Sequence, residues 1–86
     1  MRADREKVER LIKTARGQMD GILKMIEEDR YCMDISHQLM AVESVIRRAN
    51  LEVIKAHMKG CVAEAETEEE KNQKMDEMIE TLTKIL

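Results

Sequence analysis

Seven apolar residues in the middle of this chain recur at alternating spacings of four and three: Ile35, Leu39, Val42, Ile46, Ala49, Val53 and Ala56. A helix gathers positions at that spacing on one side, whereas a strand, with its side-chain period of two, would scatter them over both faces. The run predicts a helix from about Met33 to Gly60, roughly 40 Å long. It would open near Cys32, with Asp34 as its candidate cap, and fray at Gly60 beside Cys61. A helix of that length is more than a lone domain of 86 residues needs. It suits an interface between two chains.

The flanking segments obey the same rule. Val8, Ile12, Ala15, Met19, Ile22 and Ile26 form a second heptad-like seam and predict a helix from about Asp4 to Glu28. Gly17 and Gly21 interrupt it at about 1 kcal/mol each relative to alanine, a cost that points to close approach of another helix. Glu27 to Tyr31 breaks the pattern and reads as a turn. Thr67-Glu68-Glu69-Glu70 is a capping-box pattern with an acidic first turn, opening a third helix from about Glu68 to Ile85. Its stripe is Met75, Met78, Ile79, Leu82 and Ile85. With no proline and one aromatic residue, Tyr31, the sheet alternative is weak. The chain reads as one all-α domain, residues 1–86, with a long second helix. A single core is hard to fill at this size, so association of helices between chains is the expected remedy.

No stretch resembles a signal peptide or a membrane span, which makes the cytoplasm, where thiols stay reduced, the expected compartment. The net charge of −3 is uneven: residues 1–31 and 32–62 each carry +1, and residues 63–86 carry −5. An acidic total is not an obvious footprint for nucleic acid, but an oligomer can gather basic residues from several chains on one face.

The chemistry lies in Cys32, His57 and Cys61. His57 and Cys61 are four apart and share one helix face. Cys32 is 29 residues before Cys61, roughly 43 Å along a continuous helix. One chain cannot bring the thiols together, but antiparallel pairing of two copies sets Cys32 of one beside His57 and Cys61 of the other. Thiolate suits Cu(I) and zinc, and imidazole suits zinc, copper, nickel and cobalt. Two thiolates and one imidazole match three-coordinate Cu(I). Zinc would want a fourth ligand, for which His37, Glu64 or water are candidates. Taken singly, the cysteines read as packing residues and His57 as a surface histidine; taken together they favour a metal. His37 reads as solvated, and Met33, Met40, Met58, Met75 and Met78 as core filler. There is no phosphate loop, no His-Glu-x-x-His and no locally paired nucleophile, so the expectation is a protein that is not an enzyme.

Arg10-Leu11-Ile12-Lys13-Thr14-Ala15-Arg16-Gly17-Gln18-Met19-Asp20-Gly21-Ile22 resembles the Arg-Leu, Gly-Gln and Gly-Ile signature of the copper-sensitive operon repressors, the CsoR/RcnR-type metal sensors. Met25 to Cys32 is similar to the turn that leads to that family's first ligand, and His57-Met58-Lys59-Gly60-Cys61-Val62 to its second ligand cluster. The resemblance spans nearly the whole chain. It implies an antiparallel dimer on the second helix, a homotetramer of two dimers, and a trigonal Cu(I) site made of Cys32 from one protomer with His57 and Cys61 from the other. Related nickel and cobalt sensors carry an N-terminal histidine and replace Cys61 by histidine. Formaldehyde sensors replace Cys61 by glutamate, and persulfide sensors lack the histidine. With Cys, His and Cys all present, this chain resembles the copper branch.

That branch implies further roles. Tyr31 and Glu77 match residues that link the metal site to the third helix, since a ligating imidazole can donate through its other nitrogen to either. Arg10, Lys13, Arg16, Arg47 and Arg48 match basic residues that contact operator DNA, chiefly its phosphates. Asp20 departs from the family, which often carries arginine there. The implied function is a repressor that binds DNA without copper and leaves it when Cu(I) binds. A thiol or persulfide sensor using Cys32 and Cys61 is the alternative, distinguished by His57, which redox chemistry does not need. A third is a copper-buffering or structural oligomer without DNA.

Overall fold

The computed structural model describes residues 1–85 and contains three helices: α1 (Arg5–Glu27), α2 (Cys32–Glu64) and α3 (Glu68–Ile85). Each start has a local cause. Asp4, in extended backbone, accepts hydrogen bonds from the Glu6 and Lys7 amides and so caps α1. The Thr67 hydroxyl accepts from the Glu70 amide at 3.1 Å, and the Glu70 carboxylate accepts from the Glu66 amide at 3.0 Å, one residue earlier than an ideal box. The cap expected of Asp34 is absent. Tyr31 occupies that position without a side-chain bond, and Asp34 lies inside the first turn, where its charge favours the helix dipole.

α1 ends in the expected turn, whereas the end of α2 corrects an expectation. α1 closes through Asp29, whose φ of 53° is left-handed. The Arg30 amide bonds the Met25 carbonyl at 3.0 Å and the Asp29 amide that of Ile26 at 3.1 Å, the pattern of a Schellman turn with aspartate in glycine's usual place. α2 does not fray at Gly60 but continues to Glu64, ending where Ala65 turns extended. Nor do Gly17 and Gly21 mark a close helix approach within the chain: a Cβ at either would meet nothing within 4 Å. Gly60 is the tight position, with the Arg2 side chain laid across it.

α2 is the middle of the molecule, with α1 and α3 each packed on it and not on one another. The extents are 57 × 25 × 12 Å, and the radius of gyration is 17.3 Å, against about 12 Å for a compact domain of this length. The protomer is therefore a slab one helix layer thick. Its buried residues are Ala15, Ile22, Val42, Val45, Ala49 and Met78.

That shape divides the predicted seams. On α1, Ala15 and Ile22 face α2, with Val8 and Leu11 half-buried, while Ile12, Met19, Leu23 and Ile26 remain exposed. On α2, Val42 and Ala49 are buried, and Leu39 and Ile46 are exposed. The apolar arcs are wider than one helix contact consumes. The methionines divide too: Met78 is buried and Met58 half-buried, whereas Met33, Met40 and Met75 are exposed, contrary to a core role. No helix among the described residues is long and apolar enough to cross a membrane.

Candidate metal centre

His57 and Cys61 meet as their spacing requires. The Cys61 Sγ lies 3.2 Å from His57 Nε2 and 3.7 Å from Nδ1. Two donors holding one ion at bond lengths of about 2.0 Å to nitrogen and 2.3 Å to sulfur stand about 3.5 Å apart. The separation here is of that size, but a sulfur near both ring nitrogens lies beside the ring, so the imidazole has to turn before the pair can share an ion. Both cysteines are free thiols, Cys32 exposed and Cys61 partly so. Cys32 is the first residue of α2 and Cys61 lies in its last turn, so α2 keeps them roughly 43 Å apart. Among the described residues no three His, Cys, Asp or Glu side chains converge into a metal-holding cluster. Within one chain His57 and Cys61 offer two donors and no more.

The stripe that carries His57 and Cys61 also carries Cys32. Counting about 100° per residue, Cys32, Leu39, Ile46, His57 and Cys61 fall within about 60° of one another on α2. Leu39 and Ile46, between the two ends, are exposed although apolar. α2 thus presents a bare apolar ridge with a thiol at one end and a thiol–imidazole pair at the other.

The remaining predicted residues lie apart. Tyr31 is exposed beside Cys32, at the far end of α2 from His57. Glu77 is exposed on α3, about 100° or more round that helix from Met78 and Leu82. Neither side chain hydrogen-bonds to His57 among the described residues. Arg10, Lys13 and Arg16 are exposed on the side of α1 turned from α2. Arg47 and Arg48 are exposed at mid-α2, Arg47 lining a groove of about 500 Å³ with Lys84. One protomer does not collect these five cations into one patch. His37 is exposed, as expected.

Arg2 escaped the sequence reading. Its guanidinium grips Glu64 with Nη1 to Oε1 at 2.8 Å and Nη2 to Oε2 at 2.5 Å. Arg2, Cys61 and Glu64 border one groove of about 480 Å³. These hydrogen bonds, then the opposite charge, lower the Glu64 pKa and raise that of Arg2. A contact between residues 62 apart leaves no local signal in sequence.

Known proteins resemble this chain in sequence and in fold. A copper-sensing transcriptional repressor, CsoR, of Mycobacterium ulcerans (strain Agy99) is 39% identical over 71 residues, 83% of this chain and 61% of that protein. The chain thus spans about three fifths of the length of that relative. The copper-sensing repressor CsoR with Cu(I) from Geobacillus thermodenitrificans NG80-2 superposes with a TM-score of 0.78 at 30% identity, covering 92% of this chain and 82% of that one. The nickel-responsive regulator InrS superposes at 0.80 and 24% identity, covering 100% of this chain and 97% of that one, a likeness of fold. The family model for metal-sensitive transcriptional repressors matches residues 4–84, taking in all three helices with His57 and Cys61. The chain belongs to the family of metal-sensitive transcriptional repressors.

Proposed function

We propose that this chain is a copper(I)-responsive transcriptional repressor that binds operator DNA without metal and releases it when Cu(I) binds. The observation that carries the reading is the exposed ridge of α2, with Cys32 at one end and the His57–Cys61 pair at the other. Antiparallel pairing along the ridge gives each half-site a thiol from a second copy, and two such dimers make the homotetramer. Cys61 and His57 of one copy with Cys32 of the other would then hold Cu(I), a soft monovalent ion matched by two thiolates and an imidazole.

In this reading each group has a task. Leu39 and Ile46 supply apolar area that holds the copies in register. His57, once one nitrogen is engaged, turns the other toward Tyr31 of the second copy or Glu77, fixing α2 against its neighbours. Arg10, Lys13, Arg16, Arg47 and Arg48, gathered from several protomers, meet phosphates, so affinity falls as salt rises. The linkage is reciprocal: whatever DNA affinity copper removes, DNA removes from copper, typically by about 1–3 kcal/mol. The expected setting is the cytoplasm.

The test is an anaerobic Cu(I) titration of the reduced protein while its binding to its own upstream promoter DNA is followed. Saturation at one copper per chain with loss of the DNA complex is the expected result; tight copper binding with DNA retained refutes the switch. The close Cys61–His57 contact also favours thiol chemistry, and release by persulfide or oxidant alone, with weak copper binding, would establish the thiol-sensor reading instead.

A further inference from the structure

Glu64 follows Cys61 by three residues and His57 by seven. Those spacings bring all three to one side of α2, within about 60°. A carboxylate there is the natural fourth donor for a divalent ion that prefers four ligands, such as Zn(II). The structure shows it engaged elsewhere. Both oxygens of Glu64 are taken by the Arg2 guanidinium, which borders the same groove as Cys61. Arg2 reaches Glu64 by lying across Gly60, where a Cβ would fall 2.5 Å from Nη1 and 2.6 Å from Cδ. Glycine at residue 60 is what lets the arm lie there.

We propose that Arg2 is a specificity-determining residue, which clamps Glu64 beside Cys61 and so withholds the carboxylate from the metal centre. The donor set then stays at two thiolates and one imidazole, which suits Cu(I) and leaves a four-ligand ion incomplete. The inference rests on the copper reading and deepens it. Two effects act together. A divalent ion must first compete Glu64 away from a two-pronged hydrogen bond. The guanidinium, which neither loses its proton nor ligates a metal, also repels a divalent ion more than a monovalent one. An exposed ion pair is a modest restraint, so the expected change in zinc affinity is at most about fivefold rather than many orders.

Three variants of the full chain test this under anaerobic conditions: Arg2→Ala, Gly60→Ala, and Arg2→Ala combined with Glu64→Gln. Zn(II) affinity is measured by competition with a chelator, and Co(II) is used as a spectroscopic probe of ligand number. Arg2→Ala should bind zinc up to about fivefold more tightly than wild type, and Gly60→Ala, which forces the flexible Arg2 side chain to shift, should move in the same direction by less, each with a stronger four-coordinate cobalt band. Cu(I) affinity should not rise, and the double variant should return zinc affinity and the cobalt band to wild-type values. Unchanged zinc affinity and cobalt band in Arg2→Ala overturn the proposal, as does a gain that survives Glu64→Gln. Failure of the wild type to take Cu(I) would sink the copper reading, while the cobalt comparison would still decide whether Arg2 withholds Glu64.

Discussion

Ile46 is where the pairing of two copies can be tested most directly. If Cys32 of one copy meets the midpoint of His57 and Cys61 of another, the two-fold axis passes between residues 45 and 46. Of the exposed ridge residues Ile46 is then nearest the axis, and it is 42% exposed in the protomer. Fully burying an isoleucine contributes about 1.5–3 kcal/mol, so the share still exposed represents roughly 0.6–1.3 kcal/mol. The axis presents the residue twice, doubling this to roughly 1.3–2.5 kcal/mol per dimer, an association constant lower by about 8- to 60-fold if it is lost. Ile46→Ala removes most of it without adding charge. Sedimentation over a range of concentrations at fixed salt reads the dissociation constant directly. Met40→Ala is the control, because Met40 is 61% exposed but lies about 120° round α2 from Ile46. It should change association less than about threefold. Wild-type association in Ile46→Ala, or a larger loss in Met40→Ala, would refute the pairing along this ridge.

Asp29→Gly should stabilise the protein by about 1 kcal/mol, since the left-handed turn strains aspartate, and Asp29→Val should destabilise it by about 1–2 kcal/mol; chemical denaturation of both at matched concentration decides. Gln18 Oε1 is buried without a hydrogen-bond partner among the described residues. Gln18→Leu should therefore raise the melting temperature by several degrees, worth about 1 kcal/mol, and a drop would refute the view that this amide oxygen costs stability. Because Arg2 lowers the Glu64 pKa, the tether is complete above the unfolded carboxylate range and is lost as pH falls through the lower folded value. NMR of residues 1–4 should show the arm fixed at neutral pH and freed only at the acid end, and release near neutrality would contradict this origin.

The helices were legible because their apolar positions repeat, and the His57–Cys61 pair because four residues is one helical turn. The division of each stripe was not legible. A four-and-three pattern says which residues share a side but not how wide an arc one neighbour covers, so Ile12 and Ile46 read like Ala15 and Val42. Gly60 misled for a related reason. A glycine ends a helix when its backbone turns left-handed, and here that turn falls on Asp29 while Gly60 stays helical to admit Arg2. Asp34 looked like a cap because caps are chosen by residue type, but the helix had begun two residues earlier, at Cys32. The Arg2–Glu64 clamp joins the two ends of the α1–α2 hairpin, and only the fold supplies that proximity.

A slab 12 Å thick with six buried side chains among the described residues has little interior of its own to defend. If two copies pair along α2 as proposed, folding and assembly become one reaction, and the number of copies in the cell enters its stability directly. On that reading, chains left single would expose their ridges and be more open to proteases, so scarcity would compound itself. Where single chains predominate, the population of pairs follows the square of their concentration, and halving synthesis cuts it about fourfold. Gene dose would then set, more steeply than in proportion, the point at which a promoter escapes silence.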